Sequence, residues 1–124
     1  VVRSDLDGAP LRCCLRDSRP GERVALVAVA PPGPGGAYAE TGPVFVHAEA
    51  CAGPEHGGYP EEWRRRTQVI RAYDAARRIV GGEVVGPGDG QEAAAARLLA
   101  DPAVAFLHTR NVVYGCYLAM IERT

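Results

Sequence analysis

Lysine is absent from this 124-residue chain, and all 14 of its basic side chains are arginine. A lysine Schiff base or a lysine general base is thereby excluded. Alanine, glycine and proline are abundant, so the bias reads as a high-GC coding preference. Aromatic residues make up only 6% of the chain, which leaves the core to valine, leucine, isoleucine and alanine. No uninterrupted apolar run approaches the roughly 20 residues that cross a bilayer, so no membrane partner is expected. A formal charge of −1 supplies no global field to attract nucleic acid. The N-terminus lacks the basic-then-apolar pattern of an export signal, and a cytoplasmic location is the expectation. Because the chain opens on Val1 rather than Met, an N-terminal truncation is expected as well.

What the chain does contain suits one globular unit. Its 47% hydrophobic and 23% charged residues are ordinary for a single domain spanning residues 1–124. The four cysteines are Cys13, Cys14, Cys51 and Cys116. Bridging the neighbours Cys13 and Cys14 would demand a strained ring, and reduced thiols are expected in a cytoplasmic protein.

Strand and turn signals alternate along the chain. Val24 to Ala30 is a continuous apolar run that suits a buried central strand. The Pro31–Gly36 segment breaks regular structure, and Val44 to Ala48 forms a second strand with Phe45 and His47 on one face. Pro60 to Arg66 has proline and acids before bases, the pattern of a short helix start. Residues 67–85 fit either a longer helix or a hairpin turning at Asp74–Arg78; the Gly81-Gly82 and Val84-Val85 pairs favour the hairpin. Asp89-Gly90-Gln91-Glu92 opens an alanine-rich helix to Ala100 in capping-box fashion, and Asp101-Pro102 stops it. Ala103–Thr109 and Cys116–Glu122 complete a final hairpin. The expected class is α+β: a single domain with a mainly antiparallel β-sheet, on which one longer helix of the C-terminal half and one short helix pack.

Reactive side chains are densest in that final hairpin, from His108 to Tyr117. With a plain four-residue loop, Arg110 opposes Gly115 and His108 opposes Tyr117, so His108, Arg110 and Tyr117 share a face. A bulge at Gly115 would move Cys116 to the His108 side. His108 and Cys116 are therefore candidate catalytic residues, a thiolate activated by imidazole. The commoner arrangement of such residues is a small buried thiol and a core histidine. Arg71, Arg110, Asn111, Tyr117, Tyr38 and Glu40 are candidate ligand-binding residues for a small, anionic molecule.

Zinc is a further option, using His47, Cys51 and Cys14, with Cys13, His56, His108 and Cys116 as additional donors. Finger and ribbon sites pair two cysteines a few residues apart at each end, and no C-x-x-C occurs here. Arg64-Arg65-Arg66 has Glu61 and Glu62 at helical spacing from Arg65 and Arg66, which makes a solvated face rather than a nucleic-acid surface.

Several segments occur in a recognisable order: Leu15-Arg16-Asp17 with Pro20-Gly21-Glu22, Tyr38 through Val46, Arg71-Ala72-Tyr73-Asp74, Asp101-Pro102, His108-Thr109-Arg110-Asn111 and Gly115-Cys116-Tyr117. Through them the chain resembles the bacterial domain-of-unknown-function family 1203 (DUF-1203). The resemblance implies no activity. It also marks departures. Pro10-Leu11-Arg12 stands where the family commonly has Pro-Cys-Arg, with thiols displaced to Cys13 and Cys14, and Arg110 stands where a second histidine is common.

The sequence thus points first to a small-molecule-binding domain with a Cys/His pocket, whose catalysis is undecided and for which no cofactor is expected. A non-catalytic interaction domain that forms a homodimer is the first alternative, and a zinc-binding domain is the second.

Overall fold

A computed structural model describes residues 1–88 and 90–123. The expected α+β class forms, with the strands divided between two sheets. The first contains β1 (Val2–Arg3), β2 (Pro10–Leu11), β3 (Arg16–Asp17), β4 (Val24–Val29) and β5 (Gly42–His47), in the order β1-β4-β5-β2-β3. The second contains β6 (Gln68–Asp74), β7 (Ile79–Val85), β8 (Val104–Asn111) and β9 (Tyr117–Ile121), in the order β7-β6-β8-β9. Pairing is antiparallel except between β2 and β5, which run parallel with Leu11 opposite Phe45.

The main core lies under the second sheet. Helix α1 (Gly90–Leu99) packs Ala94 and Ala95 against Ile70, Ala72, Val85, Val104 and Leu107. Small alanines let the helix approach closely, and the branched residues of the strands fill the space between. Arg97 near its C-terminus pairs with Glu83 of β7, and the Ala103 N–H donates to Asp101 Oδ1 where the chain leaves the helix. The capping reading at Asp89 lies outside the described residues. No helix among the described residues is long and apolar enough to cross a membrane.

Residues 67–85 form the hairpin rather than the helix. Asp74 fixes its turn, accepting the Arg78 backbone N–H at 2.9 Å on Oδ1 while its carbonyl accepts from Arg77. The stretch expected to be a short helix is a 3-10 helix at Glu61–Arg65. Its Trp63 is fully buried against Leu118, Ala119 and Leu15, and donates Nε1–H to Asp17 Oδ1 at 3.0 Å. This residue ties the two sheets together.

One expectation needs correction. Val24–Val29 is a strand, but only Val24 is buried in it, and Leu26 and Val27 are exposed. An unbroken apolar run marks extended structure without saying what covers it. Here the outer neighbour, β1, pairs with Val24 and Ala25 alone.

Candidate metal centre

The first sheet builds a convergence of sulfur and nitrogen donors. After β2 the chain turns at once, with the Leu15 N–H donating to Leu11 O at 2.9 Å. Leu15 holds a left-handed backbone (φ 58), rare for a branched side chain, and its packing beside Trp63 anchors it there. Cys13 and Cys14 occupy this tight turn. Because β2 and β5 run parallel with Leu11 beside Phe45, two further residues along each chain bring Cys13 beside His47, the last residue of β5. Cys51 follows four positions later in an irregular segment.

The four donors lie within 4.8 Å of one another. His47 Nδ1 is 3.5 Å from Cys13 Sγ, 3.8 Å from Cys14 Sγ and 3.4 Å from Cys51 Sγ. A tetrahedral zinc ion with ordinary Zn–S and Zn–N bonds has S···N edges of about 3.6 Å. The three S···N distances thus match the edges of a zinc coordination shell.

The groups around the donors support them. His47 Nε2 meets Glu22 Oε2 at 2.8 Å, which assigns the proton to Nε2 and turns the Nδ1 lone pair towards the sulfurs. Glu22 is itself fixed by two hydrogen bonds from Arg16 and one from the Arg19 backbone N–H. Arg16 holds the Glu22 carboxyl well below the usual carboxylate range. The His47 backbone N–H donates to Cys13 Sγ at 3.3 Å.

The thiols differ in acidity. Burial raises Cys13 and, with the neighbouring thiols, pushes Cys14 up to about 12. The Gly53 N–H and His47 hold Cys51 at about 7, while Cys51 and then Glu22 raise His47. Cys51 is thus the most acidic of the three thiols, and burial holds the other two up. Ionising all three thiols at such spacing requires a cation among them. The cluster borders an open cleft of about 970 Å³, lined also by Arg16, Glu22, Glu49 and Tyr59.

The residues singled out in the last hairpin are arranged differently. His108, Arg110 and Tyr117 do share a face, with the His108 and Tyr117 rings 4.7 Å apart and Arg110 Nη2 3.1 Å from His108 Nδ1. The register is not the simple one: Arg110 opposes Tyr117, His108 opposes Met120, and the irregularity falls between Thr109 and Arg110 rather than at Gly115. Cys116 precedes β9, and its thiol's hydrogen-bond partner is Tyr114 O at 4.0 Å. No hydrogen bond joins Cys116 to His108 among the described residues.

His108 donates Nε2–H to Pro32 O at 2.7 Å, and burial lowers its pKa to about 4. Arg110, almost wholly buried, pairs with Glu40 and donates to Gly115 O at 2.9 Å. Only its Nε lacks a partner. Both residues therefore hold the Pro31–Glu40 loop against the second sheet, and Phe106 fills the space where a Gly33 side chain would be. Arg71 donates to the Tyr73 hydroxyl at 3.2 Å, Asn111 donates its backbone N–H to Cys116 O, and Tyr38 is exposed in a 3-10 turn.

Of the metal-ligand candidates, Cys14, His47 and Cys51 come together, joined by Cys13. His56 lines the cleft outside the cluster. Glu22, which orients His47, was not singled out by the sequence. Its only trace there is its place in the Pro20-Gly21-Glu22 turn.

The sequence model of a family described as "Protein of unknown function (DUF1203)" matches residues 8–123. No curated protein and no solved structure matches the chain.

Proposed function

The chain belongs to the DUF1203 family, whose description carries no activity, and from that premise we propose that it is a metal-binding domain holding one zinc ion through Cys13, Cys14, His47 and Cys51. The observation that carries this is the convergence of four donors from three separate stretches of chain to within 4.8 Å of one another. Three thiolates and one imidazole suit zinc, a borderline-soft ion without redox chemistry. Four protein ligands close the coordination shell, which is the pattern of structural sites; catalytic zinc keeps a position open for water or substrate. The ion would link the turn after β2 to the end of β5 and stabilise the first sheet, whose buried apolar cluster among the described residues is small, Leu11, Cys14 and Val24.

A reducing, cytoplasmic setting would keep the thiols available for this role. The hydrogen-bonding arrangement of His108, Arg110 and Glu40 supports a structural part for the last hairpin. The Arg110 guanidinium is already paired with the Glu40 carboxylate through its terminal nitrogens, which leaves less for an anionic ligand.

Metal analysis of protein purified without a histidine tag tests the proposal. About one zinc per chain is expected, removable by a chelator with loss of thermal stability. Metal-free, fully folded protein that takes up no added zinc would overturn it.

A further inference from the structure

The same three sulfurs permit a second chemistry, and we infer that Cys51 is a site of oxidation by hydroperoxides that ends in a disulfide to Cys13 or Cys14 and expels the ion. The release of zinc rests on the proposal above; the disulfide rests only on where the sulfurs lie.

The positions distinguish attacking and resolving thiols. Cys51 lies in the irregular segment after β5 and lines the open cleft, with its sulfur beside His47 Nδ1. Cys14 lines the same cleft but is buried, while Cys13, half-buried like Cys51, lies outside the cleft lining and accepts the His47 backbone N–H. Cys13 and Cys14 cannot readily resolve each other, because a bond between adjacent cysteines forces a strained ring. Either one can reach Cys51. All the sulfurs are within 4.8 Å, so a bond of about 2.05 Å needs an approach of no more than about 2.8 Å. The chain after Cys51 contains Gly53, Gly57 and Gly58 in a segment without strand or helix pairing, which can follow such a movement without dismantling the sheet.

The chemistry proceeds in two balanced steps. The Cys51 sulfur attacks the terminal oxygen of the hydroperoxide, an S–O bond forms, and the O–O bond breaks. The departing alkoxide takes a proton and leaves as an alcohol, or as water from hydrogen peroxide. Sulfur is oxidised by two electrons and the peroxide is reduced. The sulfur of Cys13 or Cys14 then attacks the Cys51 sulfenic acid, the S–S bond forms, the S–O bond breaks, and water leaves. Starting from metal-bound thiolates, solvent supplies the protons. Zinc keeps its charge but loses two anionic ligands, and one thiolate with one imidazole does not retain it.

The test treats the zinc-loaded full chain with hydrogen peroxide and follows zinc with a chromogenic chelator, intact mass and disulfide mapping. Expected are one zinc released per disulfide formed, a Cys51–Cys13 or Cys51–Cys14 linkage, and recovery of zinc binding after a dithiol reductant. C51S should slow thiol loss at least about tenfold. Metal-free wild type treated in parallel should form the same linkage, so a failure of the zinc proposal is seen before peroxide is added and leaves this inference standing or falling by the map. Intact thiols in excess peroxide, a Cys13–Cys14 linkage, or Cys51 carried to sulfinic acid without a disulfide would overturn it.

Discussion

At the ends of β8 and β5 the molecule holds two clusters of chemically capable side chains, and they use their polar atoms in opposite ways. Around His108 and Arg110 every side-chain group but the buried Arg110 Nε is bonded within the protein: guanidinium to Glu40, imidazole to Pro32 O, and the two to one another. Around His47, one ring nitrogen is fixed by Glu22 while the other faces three sulfurs at 3.4 to 3.8 Å. Density of reactive residues in sequence therefore separates poorly from structural polarity. Convergence of donors that share an unmet need for a cation is the more informative sign.

Perturbing each cluster in turn sharpens the contrast. The largest effect is expected from zinc removal: at free zinc about a thousandfold above Kd, the ion contributes roughly 4 kcal/mol, measurable as the difference in urea unfolding with and without chelator. Glu40→Ala leaves the buried Arg110 guanidinium without its carboxylate and should cost about 3 kcal/mol, with zinc content unchanged. Loss of zinc in that variant would mean that the two clusters are coupled.

Acid should weaken the last hairpin by a similar amount. His108 has its pKa lowered to about 4 from 6.5 by burial, so the unfolded chain takes up the proton first. The stability from keeping it neutral is present above pH 6.5 and is lost as pH falls towards 4, about 3 kcal/mol in all. Unfolding of metal-free protein between pH 6.5 and about 5.5, above the range where the depressed carboxylates begin to contribute, reads the effect; a flat profile there would contradict the burial of a neutral imidazole.

Glu22→Gln keeps the shape but removes the carboxylate behind His47, and should weaken zinc binding about 10- to 100-fold in a competition titration. The smallest effect is expected at Cys116: Cys116→Ser should change stability by no more than about 0.5 kcal/mol and leave zinc binding unaltered.

The two regions were also unequally legible. The β6–β7 hairpin and the β8–β9 hairpin could be read because their pairing is local and their turns carry side-chain signals, as at Asp74. The shared face of His108 and Arg110 followed from strand alternation, whereas Tyr117 joins them through a shifted register, opposite Arg110 rather than His108. The metal cluster depended on the parallel pairing of β2 with β5 across more than thirty residues, and no local pattern announces that register. His47 and Cys51 are four apart and Cys13 and Cys14 are adjacent, spacings that match no familiar ribbon. Burial of β4 was misjudged for a related reason, since apolar composition says nothing of the length of the neighbouring strand.

Cobalt substitution tests the central claim most directly. Co(II) added to the metal-free protein should bind at one equivalent per chain and give intense tetrahedral d–d bands with thiolate-to-cobalt charge transfer. The charge-transfer intensity should fall by about one third in Cys14→Ser, Cys13→Ser or Cys51→Ser, in proportion to the three thiolates, and stay whole in Cys116→Ser. A weak octahedral spectrum without charge transfer, or a spectrum that depends on Cys116, would contradict the assignment.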